Sequence, residues 1–74
     1  MKYLLIECED DNGFTLVGKF ATFLEAQNVL KINFIKRLSQ IDVLYVAYSD
    51  WGYNDDEAWV TECSNCWKER IFEI

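Results

Sequence analysis

Thr22-Phe23-Leu24-Glu25-Ala26-Gln27-Asn28-Val29-Leu30-Lys31-Ile32-Asn33-Phe34-Ile35-Lys36-Arg37-Leu38 is the stretch whose reading decides the fold. It opens on a capping box, in which the Thr22 hydroxyl accepts from the Glu25 N–H and the Glu25 carboxylate reaches back to Thr22. At about 100° per residue, Phe23, Ala26, Leu30, Phe34 and Leu38 fall on one stripe. A single helix from Thr22 to about Leu38 is expected, with that stripe against a core. Val29 and Ile32 fall nearly opposite, among Glu25, Asn28 and Lys36. They form a second candidate surface for a partner or a dimer mate, although isolated exposed apolar residues are ordinary.

Before the helix, residues 2 to 9 read as a strand and Phe14 to Phe20 as its return, with Asp11-Asn12-Gly13 between them. Asn-Gly is the strongest short hairpin signal, because both residues accept positive φ. With Asn12 and Gly13 as the two turn residues, Leu5 faces Phe20 and Glu9 faces Leu16, and Leu4, Ile6 and Cys8 share a face with Val17. Both faces of this hairpin are apolar. Gly18, inside the second strand, marks a bulge or a close backbone approach.

After the helix, Ile41 to Tyr48 alternates with β-branched and aromatic residues and is expected to be a third strand. Ser49 to Asp56 reads as a loop by composition. Ala58 to Glu62 and Arg70 to Ile74 read as closing strands, joined through Cys63-Ser64-Asn65-Cys66. The expected fold is α+β in the order ββαβββ: an antiparallel-dominated sheet of four to five strands with one helix packed on a face. There is no proline, repeat or linker signal, so residues 1–74 are read as one domain.

Composition limits the function. Half of the chain is hydrophobic and 16% is aromatic, which argues for an ordered core. Thirteen acidic residues against seven basic ones give a net charge of -6, so direct binding to a nucleic acid backbone is disfavoured. A protein partner with a basic surface is favoured instead, and the plain alternative is charge that only keeps a small domain soluble. No apolar run reaches the ~20 residues of a membrane span. Glu7, Glu9 and Asp10 interrupt the apolar start of the chain, so a cytoplasmic setting with reduced thiols is expected.

Few residues suggest chemistry. Cys63-x-x-Cys66 with Cys8 is a weak metal candidate, because a structural zinc site wants four ligands and the chain has no His. The plainer reading is a Ser64-Asn65 turn flanked by small apolar thiols. Without His there is no Ser–His or Cys–His pair, and no enzyme activity or cofactor is expected. Acids cluster at Glu7, Glu9, Asp10 and Asp11, and again at Asp50, Asp55, Asp56 and Glu57. Neither cluster has EF-hand spacing. The second is interleaved with Trp51 and Tyr53, residue types enriched at binding hot spots. Asp50, Trp51, Tyr53, Asp55, Asp56 and Glu57 are therefore the candidate partner-binding residues.

In size and charge the chain resembles small acidic bacteriophage inhibitors of host nucleases, anti-CRISPR proteins among them. That resemblance implies an anti-defence, nucleic-acid-mimic role on a basic host protein, encoded by a phage or mobile element. The alternatives are a homo-oligomeric small-ligand-binding protein, with a homodimer as the simplest form, and a thiol metal-binding module using Cys63 and Cys66.

Overall fold

The computed structural model describes residues 2–10 and 13–74. The strands are β1 (Tyr3–Glu9), β2 (Phe14–Phe20), β3 (Ser49–Tyr53), β4 (Glu57–Glu62) and β5 (Asn65–Glu73). The helix α1 (Phe23–Leu38) follows β2, and a 3-10 helix (Val43–Tyr48) lies between α1 and β3. One sheet runs in the order β2-β1-β5-β4-β3, and every neighbouring pair is antiparallel. The fold is α+β with the helix on one face, in the order ββαβββ.

The helix starts where the capping box predicts. Thr22 is extended at φ -126° and ψ 153°, its hydroxyl oxygen accepts from the Glu25 N–H at 3.2 Å, and the same hydroxyl donates to Glu25 Oε1 at 2.9 Å. Lys36 and Arg37 in the last turn complement the helix dipole. Ala26, Leu30 and Phe34 are buried, and Phe23 and Leu38 pack at the margin of the core. The sheet answers with Leu5 from β1, Ala58 and Val60 from β4, and Trp67 and Ile71 from β5. Along β5, Trp67, Glu69 and Ile71 are buried while Lys68, Arg70 and Phe72 are exposed, the period of two that a half-buried strand requires.

Three expectations are corrected. The segment 41–48 is not a strand: Asp42 Oδ1 accepts from the Leu44 N–H at 2.9 Å, and the Asp42 carbonyl accepts from the Tyr45 N–H at 2.9 Å, which starts the 3-10 helix. A short Asp side chain competing for local N–H groups overrides β propensity here. The expected loop at 49–56 instead contains the third strand, because Ser49–Tyr53 pairs with Glu62–Ala58. Finally, β5 begins at Asn65, so Cys63 and Ser64 alone make the turn, with Cys63 at φ 55°.

The hairpin register also differs. Tyr3 faces Phe20 and Leu5 faces Gly18, whereas Ile6 faces Leu16 and Cys8 faces Phe14. Val17 is the extra residue of a bulge, and the apolar outer face is shared by Ile6 with Leu16 rather than with Val17. Gly18 adjoins that bulge, and the Phe20 ring lies where a Cβ on Gly18 would stand. The paired residues end at Cys8 and Phe14, which is not the register of a two-residue Asn12-Gly13 turn. Asp10 adopts φ 50° and Gly13 φ 77°, while Asp11 and Asn12 of the expected turn lie outside the described residues. Among the described residues no helix is long and apolar enough to cross a membrane.

Leu30 is 3% exposed and sits between helix and sheet. Leu30→Ala should cost about 2–5 kcal/mol, and Thr22→Ala, which removes only the cap, about 1 kcal/mol. Urea titration followed by circular dichroism checks both, and the cavity variant must show the larger loss.

Candidate functional site

The 3-10 helix is pinned at both ends yet turns its side chains to solvent. At its start the Asp42 N–H donates to Glu62 Oε2 at 2.8 Å. At its end the Ser49 hydroxyl donates to the Tyr45 carbonyl at 2.7 Å, and the Ser49 N–H donates to the Val46 carbonyl. Between these ties, Val43, Leu44, Tyr45, Val46, Ala47 and Tyr48 are all exposed, Val43 to 83%, Leu44 to 75% and Tyr48 to 73%. Six consecutive apolar residues without one in the core are unusual for a water-exposed segment.

The surface continues into β3, an edge strand. Trp51 faces Val60 and Tyr53 faces Ala58, which puts both rings on the helix side of the sheet. They remain 45% and 64% exposed, although the Tyr53 ring tilts against Phe34 at 5.5 Å. Gly52 points the other way, and the Trp59 ring covers it so closely that a Cβ there has no room. Between α1 and β3 runs an open groove of ≈ 630 Å³ with an apolar floor of Leu30, Phe34, Ile35, Tyr53 and Ala58 and a polar margin of Gln27, Lys31, Asn54 and Asp55. Gln27 Nε2 donates to the Asp55 carbonyl at 2.9 Å and ties the β3–β4 turn to the helix.

The candidate acids divide by role. Asp50 and Asp55 are exposed, and Asp50 Oδ1 accepts from the Trp51 N–H at 3.0 Å. Asp56 and Glu57 are half-buried: the Asp56 carbonyl accepts from the Ile71 N–H, and the Glu57 carboxylate lies 3.4 Å from Lys68 Nζ. Asp50, Trp51, Tyr53, Asp55, Asp56 and Glu57 thus lie along β3 and its turn but on both faces of the sheet, since Asp50 alternates with Trp51, and Glu57 pairs with the outward-facing Arg70. The other acidic cluster is not joined to them. Glu9 and Asp10 lie at the Trp67 end of β5 beside the opposite half of the sheet, diagonally across from the β3–β4 turn. Those acids serve the fold: Glu9 pairs with Arg37, and Asp10 Oδ1 accepts from the Cys66 N–H at 2.7 Å.

The remaining candidates are dispersed. Val29 packs against the core whereas Ile32 is exposed, so the pair does not make one surface. Cys8 is half-buried on β1, Cys63 sits in a turn and Cys66 in β5, all three as free thiols. Among the described residues no group of three or more His, Cys, Asp or Glu is placed to hold a metal ion.

A polar row beneath the helix escapes the sequence reading. Glu69 is 2% exposed and directly opposite Glu7 across the β1–β5 pair. Asn33 Nδ2 donates to both Glu69 oxygens at 3.1 and 3.2 Å, and Trp67 Nε1 donates to Glu7 Oε1. Burial pushes the Glu69 pKa up from its ordinary 4.5 to about 7, the Asn33 hydrogen bond opposes that, and the Glu7 charge adds to it. The signal was the inward parity of Trp67-x-Glu69-x-Ile71 combined with Asn33 and Arg37 one helical turn apart.

A raised carboxyl pKa means that the folded state holds a proton which the unfolded chain releases. The stability Glu69 confers is complete below about pH 4.5 and is lost as pH rises through about 7, up to about 3 kcal/mol in all. Glu69→Gln should therefore raise Tm at pH 8 and leave it nearly unchanged at pH 4.5, as thermal melts of both proteins across pH will reveal. Compared with protein-family models, curated proteins and solved structures, the chain matches none.

Proposed function

We propose that this chain is a small acidic protein-binding domain whose docking surface is the 3-10 helix Val43–Tyr48 with β3. The observation that carries the reading is the unbroken exposure of six apolar residues, continued by Trp51 and Tyr53. Tyr and Trp supply large contact area at low cost in side-chain entropy. Asp42, at the start of the 3-10 helix, and Asp55, in the β3–β4 turn, stand exposed at the two ends of this apolar centre, as polar residues do at the rim of a binding patch.

Binding rather than catalysis fits a chain with no His. A partner that sets Lys and Arg around an apolar cleft complements both parts of the surface. A phage or mobile-element inhibitor seated on a basic host protein, in the cytoplasm, is the specific form of this reading. The separation of the two acidic clusters disfavours mimicry of a long nucleic acid tract, so the contact is the local one at β3. The free β3 edge favours a second copy of the chain as an alternative occupant.

Substituting exposed hot-spot residues should weaken binding without unfolding the domain. Leu44→Asp and Tyr48→Ala are each expected to reduce capture of a protein partner by about tenfold or more. Pull-down with wild-type and variant chains checks this, with thermal melts confirming the fold. Equal capture by wild type and both variants rejects the surface.

A further inference from the structure

We propose that the occupant of this surface is a second copy of the chain, joined β3 to β3 in antiparallel about a two-fold axis at Trp51. Each 3-10 helix then sits in the other copy's groove between α1 and β3. The proposal rests on the docking surface of the protein-binding reading above and puts a second copy there in place of a basic host protein.

The main chain supplies the first argument. Along an antiparallel strand the N–H and C=O groups of alternate residues address opposite sides. Asn54 donates back to the Glu57 carbonyl beyond the turn, whereas the Trp51 N–H donates to the carboxylate of its own neighbour, Asp50. Trp51 and Tyr53 therefore address the free edge, as does Ser49 through its carbonyl, its N–H being held by the Val46 carbonyl. A carboxylate bonded to an edge N–H is a means of blunting such an edge, and here it occupies a donor that a partner strand would use.

Register supplies the second. With Trp51 facing the partner's Trp51, Ser49 faces the partner's Tyr53 and Asp50 faces the partner's Gly52. The Asp50 carboxylates are thus not directly opposed, which a register centred on Asp50 would impose. The partner's Val43–Tyr48 immediately precedes the partner's Ser49, so it emerges beside Tyr53, where the groove opens. Each copy offers one apolar projection and one groove with an apolar floor and a polar margin, the self-complementarity that a two-fold contact needs. A groove of ≈ 630 Å³ is of the ordinary size for a filled pocket.

Area permits it as well. The five large exposed side chains of the 3-10 helix, with Ile35, Trp51 and Tyr53, offer at most roughly 800 Å² per copy at ~100 Å² each, the size of a standard interface if all are covered. Charge opposes the union, because each copy carries -6. Salt should consequently tighten the dimer, whereas it would weaken docking on a basic protein.

Sedimentation velocity of the whole chain, from micromolar to millimolar concentration at low and high salt, tests the proposal. Wild type should pass reversibly from 8.8 kDa to twice that mass, more readily at high salt. Leu44→Asp, at an exposed position, should raise the dissociation constant at least about tenfold with the melt unchanged. Asp50→Ala, which frees the Trp51 N–H and removes a charge, should lower it. A monomer under every condition overturns the proposal, yet the binding reading survives if partner capture still depends on Leu44. A dimer indifferent to both substitutions overturns the β3 geometry.

Discussion

One helix has to cover a sheet that is wider than itself. An α-helix is about 10 Å across with its side chains, whereas five strands at about 4.8 Å spacing present roughly 19 Å between the outer strand axes. Here α1 lies over β1, β2, β5 and β4, and meets β3 through the Phe34–Tyr53 ring contact. Beyond that contact Trp51, Tyr53 and the apolar 3-10 helix that leads into β3 are left partly or largely exposed. The exposed patch is a consequence of this shortage of cover.

The covered half is secured in two ways. Leu30, Phe34 and Ala26 fill the space above Leu5, Ile71, Trp67, Ala58 and Val60, and β5 sits in the middle of the sheet where it is paired on both sides. Beside this apolar patch runs the polar row of Glu7, Glu9, Glu69, Asn33 and Arg37, which ties helix to sheet by hydrogen bonds and one ion pair. Glu69 faces Glu7 across the strands, and two carboxylates so placed in a dry setting oppose each other. Burial above all, with a smaller push from the Glu7 charge, favours the neutral form of Glu69, so the stability of the covered half depends on pH.

Much of the architecture was legible because it is locally encoded. Thr22 and Glu25 fix the helix start, and the stripe from Phe23 to Leu38 fixes its buried face. The exchange at 41–53 was not legible, because local and tertiary preferences conflict there. Val43–Tyr48 has a strand's composition, but the Asp42 cap turns it into a 3-10 helix, and Ser49–Tyr53 becomes a strand only because Glu57–Glu62 is there to pair with it. The β1–β2 register was missed for a similar reason, since the Val17 bulge leaves no mark in the sequence apart from Gly18. Of the candidate site, Trp51, Tyr53 and the neighbouring acids were proposed from residue type alone. The 3-10 helix that makes up most of the surface was hidden by its resemblance to a core strand.

Exposure of the segment 43–53 in the single chain is the claim on which the functional account stands, and hydrogen–deuterium exchange at high dilution reads it directly. Peptides from α1 and β5 should exchange slowly, at rates set by global unfolding. Peptides covering the 3-10 helix, with β3's free edge, should exchange orders of magnitude faster, because brief local opening suffices. Equal protection of all these segments in the dilute chain would mean that Val43–Tyr53 already has cover from its own fold, and would contradict the account.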